Sequence, residues 1–269
     1  MNANTAAWSV SAESAKGPHK AINQDRHSWR SFGDGSEMAL AVADGHGSSA
    51  HPRSDTGAGL AVSAFLEAAS DFRTSIQQED ELSHLKCQAE DDLPRNLVVS
   101  WQHLVEQHWA GNPIADPDPA TASPALLYGT TLVGALITDA LVVGWQLGDG
   151  DLCFIDADGQ ITTPLHRRTE TLGDETDSLC SSNAQLLVHT YWAPSPQTDA
   201  PVLVAMSTDG LSKSFVSFDS YLEFLTGLHN LLRTDGAEKV QREIPGWLQK
   251  ASSYSGDDTT LIVAWREYQ

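Results

Sequence analysis

Residues 38–47 read MALAVADGHG, and no other stretch constrains the fold as tightly. Its six uninterrupted apolar residues, 38–43, suit a strand buried on both faces, because a strand with one wet face alternates polar and apolar side chains. The run stops at Asp44-Gly45-His46-Gly47. A carboxylate and a histidine are costly inside a core but serviceable at the rim of a sheet, where strand ends present ligands. Glycine at 45 and 47 permits close backbone approach. An exposed carbonyl beside Asp44 would suit a hard cation.

The remaining chain supplies strands and helices in blocks. Residues 8–13 alternate and read as a first strand. Residues 17–29 (GPHKAINQDRHSW) read as a polar loop holding His19, Lys20, Gln24 and Asp25. Helical spacing runs over 56–69 and 93–109, the second with Asp91 or Asp92 at the cap and Pro94 in the first turn. Between them, 71–92 is charged and unpatterned, a helix extension or a surface loop. Four prolines in 111–124 mark a surface loop. Segments 130–138, 141–147, 151–155 and 161–163 read as an antiparallel meander. Strands follow over 184–191 and 202–207, the latter closing on Thr208-Asp209-Gly210. Helices are expected at 216–233 and 237–250, with Pro245 set to bend the second. Gly256-Asp257-Asp258 then leads into a final strand over 259–265. The class is α+β, antiparallel sheets covered by helices, and 1–269 is read as a single domain.

Sixteen Lys and Arg against 36 Asp and Glu give a net charge of −20. That argues against nucleic acid and anionic membranes as partners. It fits a protein that gathers carboxylates around cations, or one with basic substrates. Cys87, Cys153 and Cys180 show no pairing pattern, and the opening MNANTAAWSV has neither a basic region nor an apolar core. A cytoplasmic protein without a signal peptide or membrane span is expected.

Asp25, Asp44, Asp209 and Asp257 each lie beside a predicted strand, three of them next to glycine. One such aspartate is ordinary turn chemistry. Four without matching lysines or arginines would repel one another severely unless divalent cations neutralise them. Oxygen-only ligands select Mg²⁺ or Mn²⁺ over zinc. Two such ions can activate a water and clamp phosphoryl oxygens, so the chemistry points to a metal-assisted phosphoester hydrolase.

The ordered set NQD (23–25), VADGHG (42–47), GTTL (129–132), LGDGD (147–151), STDGL (207–211) and GDDTTLIV (256–263) resembles the type 2C metal-dependent serine/threonine phosphatases, in a divergent bacterial form. The resemblance implies a four-layer α-β-β-α sandwich with two metal ions in a cleft at one end of the sheets. It implies that Asp44 bridges the ions, the Gly45 carbonyl binds one, Asp209 and Asp257 complete the other's shell, and Asp25 holds ion-bound waters. His46 corresponds to the family's proposed general acid. Asp149 falls in a turn that is mostly architectural in the family, and Thr130 and Thr131 support the sheet. The implied substrate is a phosphorylated protein, its partner a serine/threonine kinase.

Some positions depart from that pattern. Lys20, with His19 beside it, stands where many members hold the substrate phosphate with arginine; lysine is a point charge without the bidentate fork. Gln24 replaces a frequent glutamate. Leu165 occupies the place of a third-metal aspartate, for which Asp174 or Glu175 would have to compensate. Asp258 stands for the common asparagine. The Lys20 and Leu165 changes motivate a rival reading, a pseudophosphatase that binds phosphoproteins without turnover. Retention of Asp44, Asp209 and Asp257 opposes it. Hydrolysis of a small phosphoester is a third reading.

Overall fold

The apolar run forms a strand, β3 (Glu37–Ala43), and both of its faces are covered. Met38, Leu40 and Val42 point into one apolar layer and Ala39, Ala41 and Ala43 into another, which is why the run does not alternate. The computed structural model describes residues 7–79, 81–113, 123–165, 176–194 and 201–266.

β3 sits second in an antiparallel sheet ordered β2 (Arg26–Phe32), β3, β4 (Leu132–Ile137), β5 (Leu141–Leu147), β8 (His189–Pro194). The other sheet runs β1 (Trp8–Ala15), β10 (Thr259–Arg266), β9 (Leu203–Ser207), β6 (Asp151–Ile155), β7 (Ile161–Thr162). Between the two sheets lies a dry layer of Leu40, Val42, Val133, Val204, Met206 and Ile262 with their neighbours. Helices α1 (Ser54–Gln78) and α3 (Leu93–Gly111) cover the first sheet through Phe65, Trp101 and Trp145. Helices α5 (Phe218–Asp235) and α6 (Ala237–Ser255) cover the second through Tyr221, Leu225 and Leu248. The four-layer α-β-β-α architecture is as expected. Among the described residues no helix is long and apolar enough to cross a membrane.

Trp145 ties the first sheet to its helices. Its ring meets Phe65 and Phe72 edge-on, with centroids 5.6 and 6.0 Å away, and its Nε1 donates to the Ala89 carbonyl at 2.8 Å.

Several local expectations need correction. The loop assigned to 17–29 ends at Asp25, because Arg26–Phe32 is β2. That strand pairs only with β3 at the sheet edge and keeps polar residues on both faces, so it lacks the alternation of a half-buried strand. The meander over 130–163 is split. β4 and β5 belong to one sheet and β6 and β7 to the other, joined through 148–150, where Gly148 takes φ +97°. β5 and β6 instead find distant partners, β8 and β9. The segment 184–191 opens as a 3₁₀ turn over Ala184–Leu186, and strand pairing starts only at His189. Asp92 does stand at the N-cap position of α3, but its side chain makes no capping hydrogen bond, because α2 (Leu82–Cys87) runs through a π turn over Gln88–Asp92 straight into the helix. Pro94 does lie in the first turn, and α6 continues past Pro245 to Ser255.

Candidate metal centre

The ends of β3, β9 and β10 and the loop entering β2 meet at one mouth between the sheets. Asp44 follows β3 and is held by its backbone: its N–H donates to Thr131 Oγ1 at 3.1 Å, and its carbonyl accepts from Thr130 Oγ1 and Thr131 N at 2.9 Å each. Thr130 and Thr131 therefore fix this carboxylate as well as the sheet. Asp25 is buried, and its Oδ2 accepts hydrogen bonds of 2.7 Å from Thr208 Oγ1 and Thr260 Oγ1, at the ends of β9 and β10. Asp209 opens a single helical turn, α4 (Asp209–Ser212). The glycine after each central aspartate is required by space. A Cβ at Gly45 would lie 2.6 Å from the Ser54 carbonyl oxygen, and one at Gly210 would lie 2.0 Å from that of Asp258.

These carboxylates crowd one another. Burial first, with Asp258 and Asp209 adding, pushes Asp25 up to about 7 despite its two threonine donors. Burial raises Asp44 well above the carboxylate range, with Asp25, Asp209 and Asp257 adding to it. Asp209 is raised to about 6 by burial and by Asp149, against the pull of Lys213. Asp25 Oδ1 and Asp209 Oδ1 are buried and accept no hydrogen bond among the described residues. The Gly45 carbonyl likewise accepts none among the described residues. Unsatisfied hard oxygens under mutual repulsion fit Mg²⁺ or Mn²⁺. Among the described residues, however, no three His, Cys, Asp or Glu side chains form a ready ligand group. Two lysines hold part of the donor set instead. Lys20 pairs with Asp257 and lies 3.8 Å from Asp258 Oδ2, while Lys213 pairs with Asp209 and lies 3.4 Å from Asp149 Oδ2.

His46 leaves the mouth beside Asp44, its N–H bonded to the Gly129 carbonyl at 3.1 Å. Its ring faces His51 at 5.0 Å, and burial, with His51 adding, lowers it to about 4, so the imidazole is neutral at pH 7. Gln24 spans the mouth, donating to the His46 carbonyl at 3.2 Å and to Ser54 Oγ at 2.5 Å. Asp258 is a clamp: its two oxygens accept from Gly17 N at 2.8 Å and Gln24 N at 2.7 Å, locking the loop that carries Lys20 and Asp25. His19 is exposed in that loop.

Asp149, read from the sequence as an architectural turn residue, and Lys213, which the sequence reading did not single out, both border the site. The clue for Asp149 was its own DG turn; Lys213, four residues after Asp209, had none beyond helical spacing. Leu165 packs against the layer between the sheets and presents no carboxylate. Asp174 and Glu175 lie outside the described residues.

The sequence model of the family described as protein phosphatase 2C matches residues 18–249. Solved structures share the architecture. Serine/threonine phosphatase Stp1 from Staphylococcus aureus is 17% identical with a TM-score of 0.62, over 96% of this chain and 95% of its own. The catalytic domain of serine threonine protein phosphatase PstP, in complex with 2 manganese ions, is 15% identical with a TM-score of 0.57, over 97% and 99%. PppA, a key regulatory component of T6SS in Pseudomonas aeruginosa, is 15% identical with a TM-score of 0.59, over 98% and 99%. No curated protein sequence matches this chain.

Proposed function

Because the chain belongs to the protein phosphatase 2C family, we propose that it hydrolyses phosphoserine and phosphothreonine in proteins with the help of two Mn²⁺ or Mg²⁺ ions, opposing a partner serine/threonine kinase. The observation that carries this reading is the convergence of Asp25, Asp44 and Asp209 at one mouth, with buried oxygens that nothing else satisfies. The manganese complex of the PstP catalytic domain supports the choice of ion.

In this reading Asp44, the Gly45 carbonyl, Asp209 and Asp257 would hold the ions and Asp25 would hold waters bound to them. When bound, the ions supply positive charge to the phosphoryl oxygens and a water of lowered pKa. Thr208 and Thr260 keep one oxygen of Asp25 occupied and leave the other free for that water. Lys20, with His19 at its side, is the protein's own cation for the phosphate, held at the mouth by Asp257 and Asp258. His46 is neutral until a phosphate dianion lies against it. The dianion raises its affinity for a proton, which it can then give to the departing serine or threonine oxygen. A net charge of −20 disfavours nucleic acid as substrate and favours basic phosphoprotein segments. The three cysteines are free thiols, in keeping with a cytoplasmic setting. One domain spanning 1–269 carries the activity.

The pairing of Lys20 with Asp257 and of Lys213 with Asp209 favours one rival, a pseudophosphatase whose carboxylates are neutralised from within. Phosphate release from a phosphothreonine peptide, with and without millimolar Mn²⁺, separates the two. The parent should turn over only with the metal, and Asp209→Asn should lose that turnover. A folded parent that releases no phosphate with any divalent ion would establish the pseudophosphatase.

A further inference from the structure

Lys213 stands at the surface. It caps the four-residue helix α4, and its side chain is 62% exposed, whereas the Asp209 side chain it pairs with is 9% exposed. Its ammonium lies between Asp209 and Asp149, reaching the second at 3.4 Å. Lys20 on the opposite side is different. Its side chain is 23% exposed, pinned by Asp257 and Asp258 beneath Gly47. Lys213 therefore has room to swing out, and Lys20 has little.

A cation that sits on a carboxylate pair through a flexible four-carbon stem excludes another cation from the same oxygens, and does so reversibly. Asp209 also presents its second, buried oxygen with no hydrogen bond, so the residue is half neutralised and half open. We propose that Lys213 is a tethered cation that competes with divalent ions for the Asp209–Asp149 face and so sets how tightly, and in what number, the site takes them. This rests on the metal-dependent reading above. It makes metal loading depend on the ammonium moving outward into solvent, a movement that its 62% exposure allows.

The test uses the full chain, stripped of metal and titrated with Mn²⁺ alone. Calorimetry gives the dissociation constant, and the paramagnetic signal of free Mn²⁺ counts the ions bound. Lys213→Met should bind Mn²⁺ about tenfold more tightly than the parent, or take one further ion, as expected when a half-exposed ion pair no longer has to be broken. Lys213→Gln should do the same, and Lys213→Arg, which keeps the charge, should stay with the parent. Lys239→Met removes a lysine from the remote Asp235 pair and should change nothing. The metal-free Lys213→Met protein should also melt lower than the parent and gain more from Mn²⁺. A dissociation constant within twofold of the parent with the same ion count overturns the proposal alone, as does an arginine variant that behaves like methionine. No Mn²⁺ bound by either parent or variant overturns it together with the metal-dependent function.

Discussion

Asp25→Asn should stabilise the metal-free protein, and by an amount that grows with pH. Asp25 is 2% exposed, and its carboxyl is raised from 3.8 to about 7, chiefly by burial. Between those values the folded protein keeps a proton that the unfolded chain has released. Stability is therefore full below pH 4, falls as pH rises, and levels off above pH 7. At about 1.4 kcal/mol per pH unit, the displacement is worth about 4 kcal/mol in all and about 3 kcal/mol between pH 5 and pH 8. Asparagine keeps an oxygen for the hydroxyls of Thr208 and Thr260 and turns its amide toward the neighbouring carboxylates, with no charge to bury. Urea unfolding in chelator, followed by the fluorescence of the eight tryptophans, measures the difference. The advantage of Asp25→Asn should widen by about 3 kcal/mol from pH 5 to pH 8. With saturating Mn²⁺ the order should invert, because the parent alone retains the full ligand set and is stabilised by binding. A difference in chelator that does not vary with pH, or a variant less stable than the parent at pH 8, would refute the reasoning.

Trp145→Ala should cost about 3–5 kcal/mol in urea unfolding, since it empties the largest buried side chain of the first sheet and strands the Ala89 carbonyl. A loss below about 1 kcal/mol would mean that the layer closes over the gap. Gly210→Ala should destabilise the chain and lower Mn²⁺ affinity together, because the new methyl would lie 2.0 Å from the Asp258 carbonyl oxygen and push α4 off β10. Calorimetry showing unchanged Mn²⁺ affinity would contradict that coupling.

Much of the site was readable because its chemistry lies in short motifs at strand ends. Asp44, Asp209 and Asp257 each follow or precede an apolar run, and Asp25 sits in a polar loop of otherwise uncertain purpose. The sandwich followed from the family resemblance more than from the pattern. Composition and periodicity gave sheets and helices, but not which strand belongs to which sheet. β5 and β6 illustrate the difficulty. Both are buried along their whole length, so nothing local says that the chain changes sheet between Leu147 and Asp151. Each pairs on one side with a near neighbour, β4 or β7, and on the other with a strand tens of residues away, β8 or β9. β2 was missed for the opposite reason: an edge strand with polar residues on both faces carries no periodic signal. Lys213 was invisible because its role depends on where α4 points, and the spacing from Asp209 fixes that only once the turn is known to be helical.

Asp44 arrives from one sheet, while Asp209 and Asp257 arrive from the other. The centre is thus a gauge of how the two layers are registered. One residue along a strand is about 3.3 Å, close to the separation of paired catalytic ions. A slip of that size between the sheets would take these carboxylates apart and break the hydrogen bonds by which Thr208 and Thr260, at the ends of β9 and β10, hold Asp25 at the entry to β2. Leu40, Val42, Val204 and Ile262, packed with their neighbours between the sheets, oppose such a slip. The apolar seam between the sheets thus sets where these carboxylates lie relative to one another, and a change in its volume is expected to shift them.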